Sequence, residues 1–301
     1  MTTWLFGASD ASAVVTLDSR HFVVADDEDN VLRVYDRERP GWPTFSWDSS
    51  AFLRVDRRSP ESDLEGGARV GDRIYWITSH GRSKRAEYRE SRHRLFATTI
   101  VEGPVGPVLR ATGTPYLNLN QDLVNAPRLR SLGLSLASTR APKAAGAFNI
   151  EGLSATPEGQ LLIGLRNPVP QGKALLVPLL NPEETVSGRT ARLGDPVLLD
   201  LGGLGIRSMT WTGDRYLILA GSYDAGGPFR LYEWSGKSAP VKLTSLNLPG
   251  LTPEGMDLIP GAPSPTLLMV SDDGTLKIGK KLNKRLKQPQ ARRFRVLELV
   301  L

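Results

Sequence analysis

Three of five recurring units along this chain open with a Glu-Gly pair, in DLEGG (63–67), NIEGL (149–153) and TPEGM (252–256). Carboxylates held at one equivalent point of three units could converge, and they would repel unless neutralised. Glu65, Glu151 and Glu254 are therefore candidate ligands of a hard divalent ion, Ca²⁺ or Mg²⁺, which takes oxygen donors. Arg82, Arg166 and Arg207 are the rival neutralisers, through charge-assisted pairs. With a cation on the glutamates, these arginines and Asn167 are left to hold a small anionic molecule, and His80, in SHGR, to move a proton. Asp26, Asp27, Asp29, Asp272 and Asp273, in ADDEDN (25–30) and SDDG (271–274), are further acids for the same place. Plainer roles compete: an acid before Gly often just shapes its turn, and a lone turn His is more often a hydrogen-bonding residue.

Other chemistries find no support. The chain has no cysteine, which excludes disulfides, thiolate metal sites and thiol nucleophiles. His21, His80 and His93 fall in different turns without zinc-ligand spacing. Neither Asp-rich turn has the spacing of an EF-hand loop, and no Walker loop, G-x-S-x-G elbow or H-E-x-x-H is present. GGLG (202–205) is too short for a dinucleotide loop.

The elements that must position these residues repeat. A polar turn, an apolar stretch, a Gly- or Asp-bearing turn and a second apolar stretch recur five times, the second stretches centred on Val24, Ile74, Leu162, Leu217 and Leu268. The intervals are 50, 88, 55 and 51 residues; three of them approximate a four-stranded propeller blade. So short a unit cannot bury its own apolar face and must stack on its copies. The sequence predicts an all-β, five-bladed β-propeller in one domain over 1–301. The fifth unit lacks a strand and the first has one to spare, TWLFG (3–7), so the N-terminal strand should close the last blade. SAFLRV (50–55) and PVKLTSL (240–246) are the expected outer strands of units one and four. The long interval holds 118–139, where Leu119, Leu123, Leu129, Leu132 and Leu136 recur at helical intervals; it reads as a helical insertion, with a degenerate sixth blade as the alternative.

Alternate turns of an antiparallel blade share a face. The Glu-Gly turns entering each first strand should thus open on one mouth with the turns after each second strand. Unit four carries Gly205-Ile206-Arg207-Ser208 where others carry Glu-Gly, which places Arg207 at that mouth.

The 301 residues carry 38 Lys and Arg against 32 Asp and Glu, with a pI near 9.6. The excess sits in 277–295, KIGKKLNKRLKQPQARRFR, which has nine cations and no acid; the rest is mildly acidic. The basic loop, 277–292 before the last strand, is either a solvated face or the seat of an acidic partner. Its one aromatic residue, Phe294, gives no stacking platform, so nucleic acid is not expected. No apolar run is long enough to span a bilayer, and no basic start, apolar core and small-residue cleavage site open the chain, so a cytoplasmic location is expected.

FNIEGLSATPEGQLLIGLRNP (148–168), with DLEGGARVGDRIYWITSHGR (63–82) and LGGLGIRSM (201–209), resembles the bacterial proteins grouped as domain of unknown function 3616. That resemblance implies a propeller and no established activity. More distantly, the E-G-L turn before a strand is similar to that of the phytase-like esterase and the gluconolactonase/regucalcin propellers. There, such a turn gives a carboxylate to a channel metal; Glu65, Glu151 and Glu254 are the matching positions. The expected function is a Ca²⁺- or Mg²⁺-dependent hydrolase of a small anionic phosphoester or lactone. The alternative is a non-catalytic propeller that binds a small molecule or a protein.

Overall fold

Short runs of Val, Ile, Leu, Tyr and Trp cut by Gly, Asp and Asn turns form strands buried on both faces. In a computed structural model describing residues 2–301 except 225, 244–247 and 249, these strands build five four-stranded antiparallel sheets around one axis. From the axis outward, blade one is Ala11–Thr16, His21–Asp26, Val31–Asp36 and Phe45–Asp48. Blade two is Leu64–Val70, Arg73–Thr78, Leu95–Gly103 and Gly106–Tyr116. Blade three is Asn149–Ala155, Leu161–Asn167, Ala174–Leu179 and Val197–Leu199; blade four is Gly205–Trp211, Tyr216–Gly221, Arg230–Trp234 and Val241–Leu243. Blade five is Pro253–Leu258, Thr266–Ser271 and Arg293–Val300, closed on its outside by the N-terminal strand Thr2–Phe6. Chain start and chain end are thereby stitched into one sheet, with Trp4 opposite Arg295.

No single core exists. Five apolar clusters fill the five wedges between neighbouring blades. The wedge between blades one and two packs Val23, Val34, Trp76 and Phe96; that between five and one packs Leu5, Tyr35, Val270 and Phe294. The inner strands pack in sequence order around the axis, and the last returns to the first. Closure leaves no blade with an open inner face.

One expected strand fails. Blade one's outer strand is Phe45–Asp48, whereas Ser50–Leu53 of SAFLRV is one helical turn whose Leu53 is buried against blade two. So short a run of consecutive apolar residues, Ala51–Leu53, fits a single buried turn as well as a strand. In PVKLTSL, Val241–Leu243 is strand, and 244–246 lie outside the described residues. The 118–139 segment is helical, not a sixth blade: Leu119–Asn125, a 3₁₀ stretch Pro127–Leu132, and Leu134–Ala137. Leu119, Leu123, Leu129 and Leu134 enter the wedge between blades two and three, whereas Leu136 is 60% exposed. Gly133, with φ 70°, restarts the helix and shifts the buried phase. The basic segment folds as a small hairpin, Lys277–Ile278 with Lys281–Leu282, followed by two 3₁₀ turns. No helix among the described residues is long and apolar enough to cross a membrane.

Candidate functional site

A regular inner strand points its side chains sideways, at the neighbouring blades. The residues that face the axis here do so because each inner strand carries a β-bulge. The register skips Ser12, Glu65, Glu151, Arg207 and Glu254, one per blade, at the same place. A bulged residue is unpaired and re-aimed, as at many sites. The Glu-Gly pairs thus lie inside the strands rather than in the turns before them. The next residue is always small: Ala13, Gly66, Gly152, Ser208 and Gly255. A Cβ on Gly152 would lie 2.6 Å from Ile206 Cγ2, and one on Gly255 2.9 Å from Ala13 Cα. These residues let the inner strands close tightly around the axis.

The ring therefore reads Ser, Glu, Glu, Arg, Glu. Arg207 sits between Glu151 and Glu254, with Nη1 2.9 Å from Glu151 Oε2 and 3.0 Å from Glu254 Oε1. A second bulge, at the end of blade three's second strand, turns Arg166 inward, and its Nη1 lies 2.6 Å from Glu151 Oε1. Asn149 Nδ2 donates to the same oxygen at 2.8 Å. Burial alone would raise Glu151, but the two guanidiniums outweigh it and hold the carboxyl below its usual range. Burial leaves Glu254 above its usual range despite Arg207.

The other half of the ring lacks such compensation. Blade one contributes only Ser12, whose hydroxyl donates to Leu64 O at 2.6 Å. Asp27, from the turn after blade one's second strand, fills the gap electrostatically, and Glu65 and Glu254 are the charges that act on it most. Asp27, Asp63 and Glu65 each offer a carboxylate oxygen, all within 4.8 Å of one another. Asp63 pairs with Arg92 at 3.0 Å. Glu65 makes no hydrogen bond or ion pair among the described residues, and Asp27 Oδ1 is buried without a partner. Burial first, and then the neighbouring carboxylates, push Glu65 and Asp27 well above the ordinary range. A second triad, Asp10, Asp27 and Glu28, shares Asp27 and contains its own cation: Lys284 of the basic segment lies 3.3 Å from Asp10 and 2.5 Å from Glu28.

The remaining candidates are placed elsewhere. Arg82 donates to the carbonyls of Ser138 and Ala86, and Asn167 to those of Pro142 and Ala144, so both fasten the segment after the helical insertion. His80, at φ 52°, donates from Nδ1 to Thr78 O at 2.9 Å and packs its ring on His93, not on the carboxylates. Burial lowers its pKa to about 4. Asp26 accepts from the backbone of Ser9, Asp10 and Glu28; Asp29 pairs with Arg33 and Asp273 with Arg295. Asp272 stays near the mouth, bridged through its backbone to Asp10, its carboxyl pushed up to about 6 by burial and Glu254.

Asp63, Asn149 and Asp10 are site residues the sequence reading missed. A signal existed: each stands two residues before its ring position, so the pattern is Asp/Asn-x-ring residue in blades one to three. Blade four has Gly205 there, because a Cβ would lie 1.9 Å from Arg166 O. A cavity of about 440 Å³ opens at the other end of the axis, among Ser154, Thr210, Trp211 and Asp257. Asp257 accepts hydrogen bonds there from Thr16, Thr210 and Leu258, whereas Glu65 at the ring end has no such partner among the described residues.

Fold and ring together define a β-propeller with an acidic axial mouth. The family model described as "Protein of unknown function (DUF3616)" matches residues 119–249, a stretch holding Glu151, Arg166, Asn167 and Arg207 but neither Glu65 nor Glu254. No curated protein matches the chain significantly. Among solved structures, Myxococcus xanthus glutaminyl cyclase is similar at 12% identity and TM-score 0.48, covering 100% of this chain and 95% of that one. A luciferin-regenerating enzyme is similar at 9% identity and TM-score 0.48, over 98% and 92% of the two chains. The Myceliophteria thermophila Cps50 (Swd1) β-propeller domain is similar at 10% identity and TM-score 0.39, over 96% of each. Likeness at this level carries no argument about activity.

Proposed function

We propose that the axial mouth binds a divalent cation, Ca²⁺ or Mg²⁺, through Asp27, Asp63 and Glu65, and that the protein is a hydrolase of a small anionic phosphoester or lactone. The observation that carries the reading is the pairing of a buried, partnerless Asp27 Oδ1 with a Glu65 carboxylate that has no counter-ion among the described residues. A buried charge without compensation is costly. An all-oxygen carboxylate set suits a hard cation and disfavours zinc.

A bound cation would supply Lewis acidity and a more acidic water. The chain's own residues do the rest. Glu254, raised by burial, is the ring group suited to take up a proton. Arg207, fixed between two carboxylates, sets the field on the far side of the mouth. Glu151 is a positioning residue in this reading rather than a metal ligand, since its two oxygens already take Asn149, Arg166 and Arg207.

A second reading has its own support. Arg166 spends its remaining donors on the carbonyls of Ser222 and Asp224, which leaves it little to offer an anionic substrate. That saturation favours a non-catalytic propeller whose mouth is a salt-bridged docking surface. Thermal melting with Ca²⁺, Mg²⁺ or Mn²⁺ separates the two. A specific cation at a hundredfold excess over its dissociation constant stabilises by about 2.7 kcal/mol. The hydrolase reading expects such a shift, its loss in Glu65→Gln, and turnover of a phosphomonoester or lactone panel that follows the cation. A melting curve indifferent to all three ions leaves the docking reading standing.

A further inference from the structure

We propose that the outer edge of blade five, where the basic segment meets the N-terminal strand, binds single-stranded nucleic acid. Within 277–295 the only aromatic residue, Phe294, is fully buried. The fold brings others from elsewhere. Thr2–Phe6 pairs with Arg293–Val300, with Trp4 opposite Arg295 and Phe6 opposite Arg293. The guanidinium carbons of Arg293 and Arg295 lie 5.0 and 5.4 Å from the centre of the Trp4 ring. Trp42, from the loop before blade one's outer strand, stacks on Phe6 with centroids 5.3 Å apart. Trp4 and Trp42 are 39% and 51% exposed. Trp4 and Phe6, alternate residues of one strand, stand roughly 7 Å apart. The result is a row, Trp42–Phe6–Trp4, interleaved with arginines on an edge strand.

The charge beside it is uncompensated. Lys277, Lys280, Lys281, Arg285 and Lys287 are exposed, and none forms an ion pair among the described residues. In the segment, Lys284 and Arg295 alone meet acids among the described residues. Asn283 ties the cations to the edge: its side chain bonds both the N–H and the carbonyl of Arg293. Lysines alone would attract any polyanion. Exposed indoles beside them favour a polyanion whose units carry π faces, so that bases stack while phosphates meet the cations. A duplex hides its base faces and an acidic peptide has none, which singles out an unpaired strand.

The test is fluorescence anisotropy with labelled oligothymidylate and oligouridylate, with tryptophan emission read in parallel. Binding of either strand should quench tryptophan and weaken with salt, at a log–log slope of about −0.7 per phosphate neutralised and about −3.5 if all five exposed cations engage. Trp42→Ala, at an exposed position, should weaken binding about 5- to 150-fold, and Trp42→Phe should restore most of it. Lys281→Glu with Arg285→Glu should flatten the slope. Absence of binding by correctly folded protein overturns the proposal. So does binding that Trp42→Ala leaves unchanged and that heparin matches, because the surface would then recognise charge alone.

Discussion

Arg207 occupies in blade four the bulge position that Glu151 occupies in blade three, and the two side chains bond each other at 2.9 Å. One equivalent site thus carries opposite charges in adjacent repeats. The ring is consequently split: Glu151 and Glu254 share Arg207, while Glu65 faces Asp27 and Asp63.

Removing the cation from the compensated half should be severe. Arg207→Met leaves Glu254 without its counter-ion and Glu151 with Arg166 only, both carboxylates being buried. Breaking a buried pair from one side costs about 3–5 kcal/mol. Urea unfolding should show that loss, and a change below 1 kcal/mol would mean that water reaches the ring.

The two halves should respond differently to metal. Lys284 neutralises Asp10 and Glu28 beside the shared Asp27. Lys284→Met should therefore enlarge the stabilisation produced by Ca²⁺ or Mg²⁺. Glu151→Gln should leave it in place, and Asp27→Asn should abolish it. Melting curves on the three variants at matched cation concentrations check the order.

Acid should destabilise the fold through the paired histidines. Burial lowers His80 to about 4, and burial with the charge of His80 lowers His93 to about 3. In the unfolded chain each titrates near 6.5. A depressed folded pKa gives stability that is complete above 6.5 and is lost as pH falls toward 4 and 3. Between pH 7 and pH 5 the loss amounts to about 2 kcal/mol per ring, by proton linkage. The difference in unfolding free energy between those pH values should shrink by about that much in His93→Gln.

Backbone closeness at the ring should be intolerant of a single methyl. Gly205 stands where a Cβ would lie 1.9 Å from Arg166 O. Gly205→Ala must push the end of blade three's second strand away and draw Arg166 off Glu151. Overpacking of this kind costs about 1–3 kcal/mol. A thermal melt reads the cost; a cation shift that survives unaltered would place Arg166 away from the proposed cation site.

Much of this was legible in the chain. The spacing of Val24, Ile74, Leu162, Leu217 and Leu268 announced five stacking units, because apolar strands of that length have no other way to bury two faces. The deficit of one strand in the last unit foretold closure by Thr2–Phe6. SAFLRV was misread because one buried helical turn and a short strand share an apolar signature.

Residue types alone thus settled the repeat, the closing strand and the presence of acids at equivalent points of three units, while five blades rather than six was decided by the helical fold of 118–139. Which acids end up compensated was left to the folded chain. Arg166, Asp27 and Lys284 reach the ring from other turns, and Arg82, Asn167 and His80 turn away from it. A β-bulge re-aims one side chain without altering the pattern of apolar residues around it. The direction of each charge is therefore decided by inter-blade packing at long sequence separation, where local patterning has nothing to say.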